Sequence, residues 1–120
     1  MKITLGELRD SRKALDVLFN KELEITTAFK LSKLLKVVDK ELKDLEDFRL
    51  KLIKKYGEQD KDKNAFSVKD NKQADFYAEF GKLLDTTVDI TFTKIPISDI
   101  GDIKITPRQL LLLDPFIKEK

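Results

Sequence analysis

The sequence contains no cysteine, no histidine and no tryptophan among its 120 residues. Without cysteine and histidine there is no zinc site of the ordinary kind, no cysteine nucleophile, no Ser-His-Asp triad and no disulfide framework. A glycine-rich phosphate-binding loop is also missing, because the four glycines are scattered at positions 6, 57, 81 and 101. We therefore predict that the protein is not an enzyme and binds no cofactor.

Acidic residues are abundant, but they form no recognisable metal or catalytic site. The 22 Asp and Glu residues are interleaved with 24 Lys and Arg residues, and the net charge is +2. Residues 60–64 begin like a calcium-binding loop, yet Ala65 replaces the glycine of the tight turn and Asn71 replaces the closing glutamate. We therefore predict no metal site, and a solvated charged loop over residues 58–64.

Length and composition are those of one small folded domain. Hydrophobic residues make up 41% of the chain and the net charge is small, so we expect a buried core rather than disorder. No apolar run approaches the roughly 18 residues that a membrane-spanning helix needs. We predict a single domain over residues 1–120, in which an α/β half (65–120) packs on a helical hairpin (1–57).

The strongest pattern is a stripe of apolar residues at alternating steps of three and four, which predicts a helix from about Thr27 to Tyr56. Arg49 occupies one position of this stripe. The stripe is either a core seam covered by the rest of the chain or a surface through which copies associate as a coiled coil. Its members are Ala28, Leu31, Leu35, Val38, Leu42, Leu45, Leu52 and Tyr56.

Shorter helices are predicted on both sides of the long one. Thr4 and Glu7 have the spacing of a capping box and begin a first helix that ends near Asn20. An aromatic-rich segment after residue 70 predicts a third helix. Residues 106–109, with the sequence Thr-Pro-Arg-Gln, begin a last short helix.

Strands are predicted where apolar and polar residues alternate, at 65–68, 87–95 and 103–106. We expect these segments to pair in one small antiparallel sheet. The predicted fold class is therefore α+β and helix-dominated, with one long central helix, two or three shorter helices and this small sheet.

Two groups of residues are candidate contacts for a partner protein. If part of the long helix is uncovered, its aromatic residues and their neighbours would anchor a partner. An extended arm around Pro96 would present two isoleucines, which alternatively cover the domain's own core. The candidate contact residues are Phe48, Arg49, Leu52, Tyr56, Ile97 and Ile100.

Lysines on the long helix raise nucleic acid as another possible partner. They cluster at 30–36 and at 51–55, and basic faces of this kind bind phosphates. However, acidic residues interrupt the run between 39 and 47, and no platform of aromatic and arginine side chains accompanies it. A solvated helix face explains these lysines better.

The order of the motifs carries a family resemblance. A capped start leads to Arg12-Lys13-Ala14-Leu15, the long helix ends at Tyr56-Gly57-Glu58, and an aromatic helix, a strand and an ending over residues 106–117 follow. Over most of the chain, this layout resembles a family of small proteins of unknown function that tailed bacteriophages and prophages encode. The resemblance implies a phage gene expressed in the cytoplasm of a bacterial host, and it brings no catalytic motif.

We therefore expect a non-enzymatic phage protein that acts by binding another protein. The expected partner is a host or defence-system protein, which the phage protein modulates. The alternative is a virion, tail or assembly component whose long helix packs against copies of itself or another phage protein. A nucleic-acid-binding accessory protein is the second alternative.

Overall fold

The structure, a computed structural model, describes residues 1–60 and 65–119 and is organised around one long helix. This helix, α2, runs from Ile25 to Tyr56 and has 32 residues. At about 1.5 Å per residue it is about 48 Å long, close to the 51 Å of the molecule's longest axis. The predicted helix is confirmed, and it begins two residues before Thr27. No helix in the described ranges is long and apolar enough to span a membrane.

The first helix, α1, runs from Leu5 to Phe19 and packs against α2. Its predicted cap is confirmed, because the Thr4 hydroxyl accepts a hydrogen bond from the Glu7 amide at 3.1 Å and donates one to the Glu7 carboxylate at 2.9 Å. The helix ends at the predicted turn, where the Asn20 side chain donates to the Asp16 carbonyl. The resulting helical pair is the frame on which the later elements lie.

Three further α-helices follow in the part of the chain that the structure describes. The helix α3 (Gln73–Leu84) packs on α2, α4 is the short segment Ile97–Ile100, and α5 (Pro107–Leu113) packs on α1. The capping box of α5 is present as predicted: the Gln109 amide donates to the Thr106 hydroxyl at 3.1 Å, and the Thr106 amide donates to the Gln109 side chain at 2.9 Å. Helix-dominated α+β is therefore the fold class.

The strands pair differently from the prediction. Instead of one antiparallel sheet, the described residues form three two-stranded sheets, two antiparallel and one parallel. They pair β1 (Lys2–Thr4) with β4 (Thr87–Asp89), β2 (Gly57–Asp60) with β3 (Ala65–Val68), and, in parallel, β5 (Ile95–Pro96) with β6 (Ile117–Lys118).

Each departure has a local cause. The strand predicted over 87–95 stops at Asp89 because this residue lies opposite Lys2, where β1 begins; at the other end of the pair, Thr4 lies opposite Thr87 and caps α1. Residues 103–106 form no strand; Ile103 and Ile105 instead pack against the core. The loop predicted over 58–64 begins with β2, and residues 61–64 lie outside the described residues, as does most of the segment compared with a calcium loop.

Among residues 1–60 and 65–119, the core has two clusters. The larger joins α1, the first half of α2 and the C-terminal segments, and its fully buried members include Leu34, Val38 and Phe116. The smaller cluster, at the other end of the molecule, contains Leu5, Leu45, Phe76 and Phe80. Within the predicted stripe, Leu45 is buried but Leu35 is partly exposed. Its neighbour Leu34 is buried instead, because the buried face of α2 is rotated toward Leu34.

Replacing Gly81 by alanine should stabilise the protein. Gly81 lies inside α3, where glycine costs about 1 kcal/mol relative to alanine, and a Cβ at this position would meet no atom within 4 Å. We expect Gly81→Ala to raise the free energy of unfolding by about 0.5–1 kcal/mol in urea denaturation.

Gly6→Ala is the matched control. A Cβ there would lie 3.2 Å from the Leu84 carbonyl oxygen, so this variant should gain no stability. A loss of stability in Gly81→Ala would contradict the absence of close neighbours around Gly81.

Candidate protein-binding surfaces

The candidate residues on α2 lie in different environments. Phe48 is 52% exposed, and the Lys51 ammonium lies 4.8 Å from its ring centroid. Leu52 and Tyr56 are half-buried and pack against the smaller core cluster. Of these three side chains, Phe48 has the largest surface available to a partner.

Arg49 lies on the surface rather than in a core seam. Its Nε donates to Glu46 Oε2 at 2.8 Å and its Nη2 donates to Glu46 Oε1 at 2.5 Å. These hydrogen bonds hold the pKa of the Glu46 carboxyl below its ordinary value and raise the pKa of Arg49. The carboxylate partner of Arg49 is therefore on the preceding turn of the same helix.

The two isoleucines near Pro96 have opposite positions. They lie on the helix α4, not on an extended arm, so Ile97 is 46% exposed while Ile100 is 3% exposed and belongs to the larger core cluster. The prediction that Ile100 contacts a partner is therefore corrected, because its side chain is buried in the core beneath this surface. Ile97 remains available to a partner.

Ile97 borders an apolar surface that we call the C-terminal groove. Its first part is a hollow of about 300 Å³ between α4, the segment 101–105 and α5. A second hollow, of about 340 Å³, shares three apolar side chains with the first and is otherwise lined by charged residues: Lys94, Asp114, Lys118 and Glu119. Those shared side chains are Ile97, Leu110 and Ile117; the first hollow is also lined by Ile103 and Ile105.

Backbone geometry shapes this groove. Gly101 has φ 75° and ψ −157°, a conformation that is essentially restricted to glycine and that turns the chain out of α4. The Lys21 ammonium donates to the Asp102 carbonyl and thereby ties the next segment to the turn after α1. The isoleucines at 103 and 105 are thus held along one wall of the groove.

A second exposed apolar set lies along α2. Ile25 is 83% exposed and Phe29 is 59% exposed, and Leu50 adds a third side chain at 45%. The stripe predicted as a core seam is itself largely covered, since Leu31, Val38 and Leu45 are buried beneath other elements. What α2 exposes is therefore apolar surface beside the stripe.

The sequence did not predict the C-terminal groove as a site. The sequence predicted only a strand over residues 103–106 and the start of a short helix at residues 106–109. A signal was available in Leu110 and Leu111, because a seven-residue helix cannot bury four consecutive leucines on one face. Leu111 is 75% exposed and Leu110 is 42% exposed.

In the described ranges, no group of three or more acidic residues is arranged to hold a metal ion. Comparison of the chain with protein-family models, with curated proteins and with solved structures finds no match.

Proposed function

We propose that this chain is a non-enzymatic protein that acts by binding another protein through the C-terminal groove. The observation that carries the proposal is the exposure of large apolar side chains around an apolar hollow. Ile97 and Leu110 are 46% and 42% exposed, and both line the two parts of the groove. Contiguous exposed apolar surface of this kind is typical of interaction sites.

Several features favour a protein over a small molecule as the occupant. The groove is open along one side of α5, and its first hollow is lined almost entirely by isoleucine and leucine. A small-molecule site normally adds convergent polar groups that orient the ligand. An apolar side chain or helix face of a partner requires no such groups.

We further propose that the partner is a host or defence-system protein and that binding takes place in the cytoplasm of a bacterial host. The resemblance of the motif order to phage and prophage proteins supports this origin. A small protein without a catalytic residue set would act on such a target by covering a surface. The complex should have an interface of about 1,600 Å² or less.

A virion, tail or assembly component is the second candidate. It is favoured by the exposed apolar residues of α2, a helix as long as the molecule itself. Ile25, Phe29 and Leu50 would then contact a second copy or another phage protein.

The experiment is an affinity pull-down from lysates of the bacterium that carries the gene, uninfected and phage-infected, with mass spectrometry as the readout. We expect a stoichiometric host protein from uninfected lysate. It should be lost with Leu110→Asp, which places a charge in the groove, and retained with Leu50→Asp, a control of similar exposure on α2.

Other results would contradict the proposal in defined ways. Recovery of phage structural proteins alone, and only after infection, would favour the assembly function. Equal recovery of the host protein by wild type and Leu110→Asp would show that the C-terminal groove is not the binding surface.

A further inference from the structure

Three of the chain's four arginines line another groove, which shares no lining residue with the C-terminal groove. The groove lies between α1, α2 and α3 and encloses about 450 Å³. Leu42, Leu45 and Phe80 form its apolar part. We call it the arginine groove; its charged lining residues are Arg9, Arg12, Lys13, Glu46 and Arg49.

The three arginines are held in place by neighbours. Arg12 donates from Nε to Asp39 at 2.8 Å and from Nη1 to Asp16, and Arg49 donates to Glu46. The Arg9 guanidinium lies 5.8 Å from the centroid of the Phe80 ring. Fixed guanidinium groups lose less conformational freedom when a ligand binds, which favours their use as contacts.

The hydrogen bonds of Arg12 and Arg49 also favour the charged form of each guanidinium. Burial lowers the pKa of Arg12, but the hydrogen bonds to Asp39 and Asp16 outweigh it, and the net shift is upward. The pKa of Arg49 is raised by its bonds to Glu46. Each guanidinium carries five N–H donors, more than the described hydrogen bonds of Arg12 and Arg49 use.

We propose that the arginine groove binds an acidic segment of a partner protein, in which one apolar side chain is flanked by Asp or Glu. The lining carries four cationic side chains and one carboxylate. Arg12 and Arg49 already pair with carboxylates of the chain itself. Arg9 and Lys13 therefore supply most of the charge that is complementary to a partner's carboxylates.

An arginine can bind a carboxylate through two N–H groups, and Leu42, which is partly exposed beside the buried Leu45 and Phe80, would contact the apolar side chain. This inference rests on the proposed function, protein binding, and adds the chemistry of the partner at a second surface.

The observations favour a peptide over a nucleic acid. Asp16, Asp39 and Glu46 lie beside the arginines and reduce the continuous positive field that a phosphate backbone needs. Bases also need an exposed aromatic face for stacking. The aromatic ring in this lining, Phe80, is 8% exposed and lies under Arg9.

The test is a selection from a displayed library of random peptides of about twelve residues. The full chain is the bait, and the Arg9→Gln/Arg49→Gln double variant is used for counter-selection. Both arginine side chains are at least one-third exposed, so the fold should survive, which thermal denaturation checks. We expect enriched peptides with Asp or Glu beside Leu, Phe or Trp.

Binding of the best peptide, synthesised with a fluorescent label, is then measured by anisotropy. The double variant should bind at least about tenfold more weakly, whereas Arg108→Gln, a change outside the groove, should bind like wild type. Enrichment without acidic residues, or equal binding by the double variant, would overturn the proposal. So would tighter, arginine-dependent binding of a single-stranded DNA of similar length.

The two proposals fail separately. If Leu110→Asp abolishes the pull-down and the selection yields no acidic peptides, protein binding stands and the assignment of the arginine groove fails. The opposite result is that acidic peptides bind through Arg9 and Arg49 while wild type and Leu110→Asp recover the host protein equally. That result would overturn the assignment of the C-terminal groove and leave the arginine groove in place.

Discussion

Replacing Leu34 by alanine should lower the free energy of unfolding by about 2–5 kcal/mol. Leu34 is fully buried in the larger core cluster, so its truncation removes buried apolar surface and leaves a cavity. Leu35, the next residue, is partly exposed and borders a surface hollow with Leu18 and Phe19. The same change at Leu35 should therefore cost clearly less.

Urea denaturation of the two variants beside wild type measures this difference. Both substitutions remove the same atoms from the same helix, so differences in helix propensity cancel. A loss at Leu35→Ala as large as at Leu34→Ala would mean that α2 presents a different face to the core than the structure gives.

Replacing Phe116 by alanine should cost about 3–5 kcal/mol. The side chain is fully buried, and its ring centroid lies 5.5 Å from that of Phe92. It belongs to the same cluster as residues of α1 and α2, so it attaches the C-terminal segment to the helical pair. Its loss should also disturb the C-terminal groove, because Leu113 and Ile117 on either side of it line that groove.

The control for this prediction is Leu111→Ala, a truncation on α5 of a side chain that is 75% exposed. It should change stability by less than about 0.5 kcal/mol. Thermal denaturation followed by circular dichroism compares the two. A Phe116→Ala variant that melts like wild type would show that the C-terminal segment contributes little to the core.

Elements specified by nearby residues were predictable from the sequence. The helix α2 follows from its apolar period, and the start of α5 follows from Thr106, Pro107 and Gln109, which interact within one turn. The cap of α1 at Thr4 is of the same kind. In each case the residues that determine the structure lie within about four positions of each other.

Features that depend on distant segments were not predictable. The pairing of β1 with β4 joins residues 2–4 to 87–89. Neither segment carries a sequence pattern that identifies the other as its partner. The choice of Leu34 over Leu35 depends on how α1 and the C-terminal segments lie on α2. In addition, residues that repeat every seven positions rotate by about 20° per repeat around the axis of a straight helix. The heptad pattern alone therefore does not fix which face of α2 is buried.

The candidate sites show the same division. Phe48 was named from the sequence as an aromatic residue on the long helix, and Ile97 as an isoleucine beside Pro96. Both side chains are exposed. The burial of Ile100 and the meeting of Arg9, Arg12 and Arg49 could not be predicted, because they depend on helix packing across the molecule.

The most direct test of protein binding at the C-terminal groove is site-specific photo-crosslinking. A photoreactive phenylalanine derivative is placed at Leu110 in the groove or at Leu50 on α2, two positions of similar exposure. After irradiation in lysate of the host bacterium, we predict a discrete crosslinked product to one protein from position 110 and none from position 50. Crosslinking from position 50 alone, or from neither position, would contradict binding through the groove.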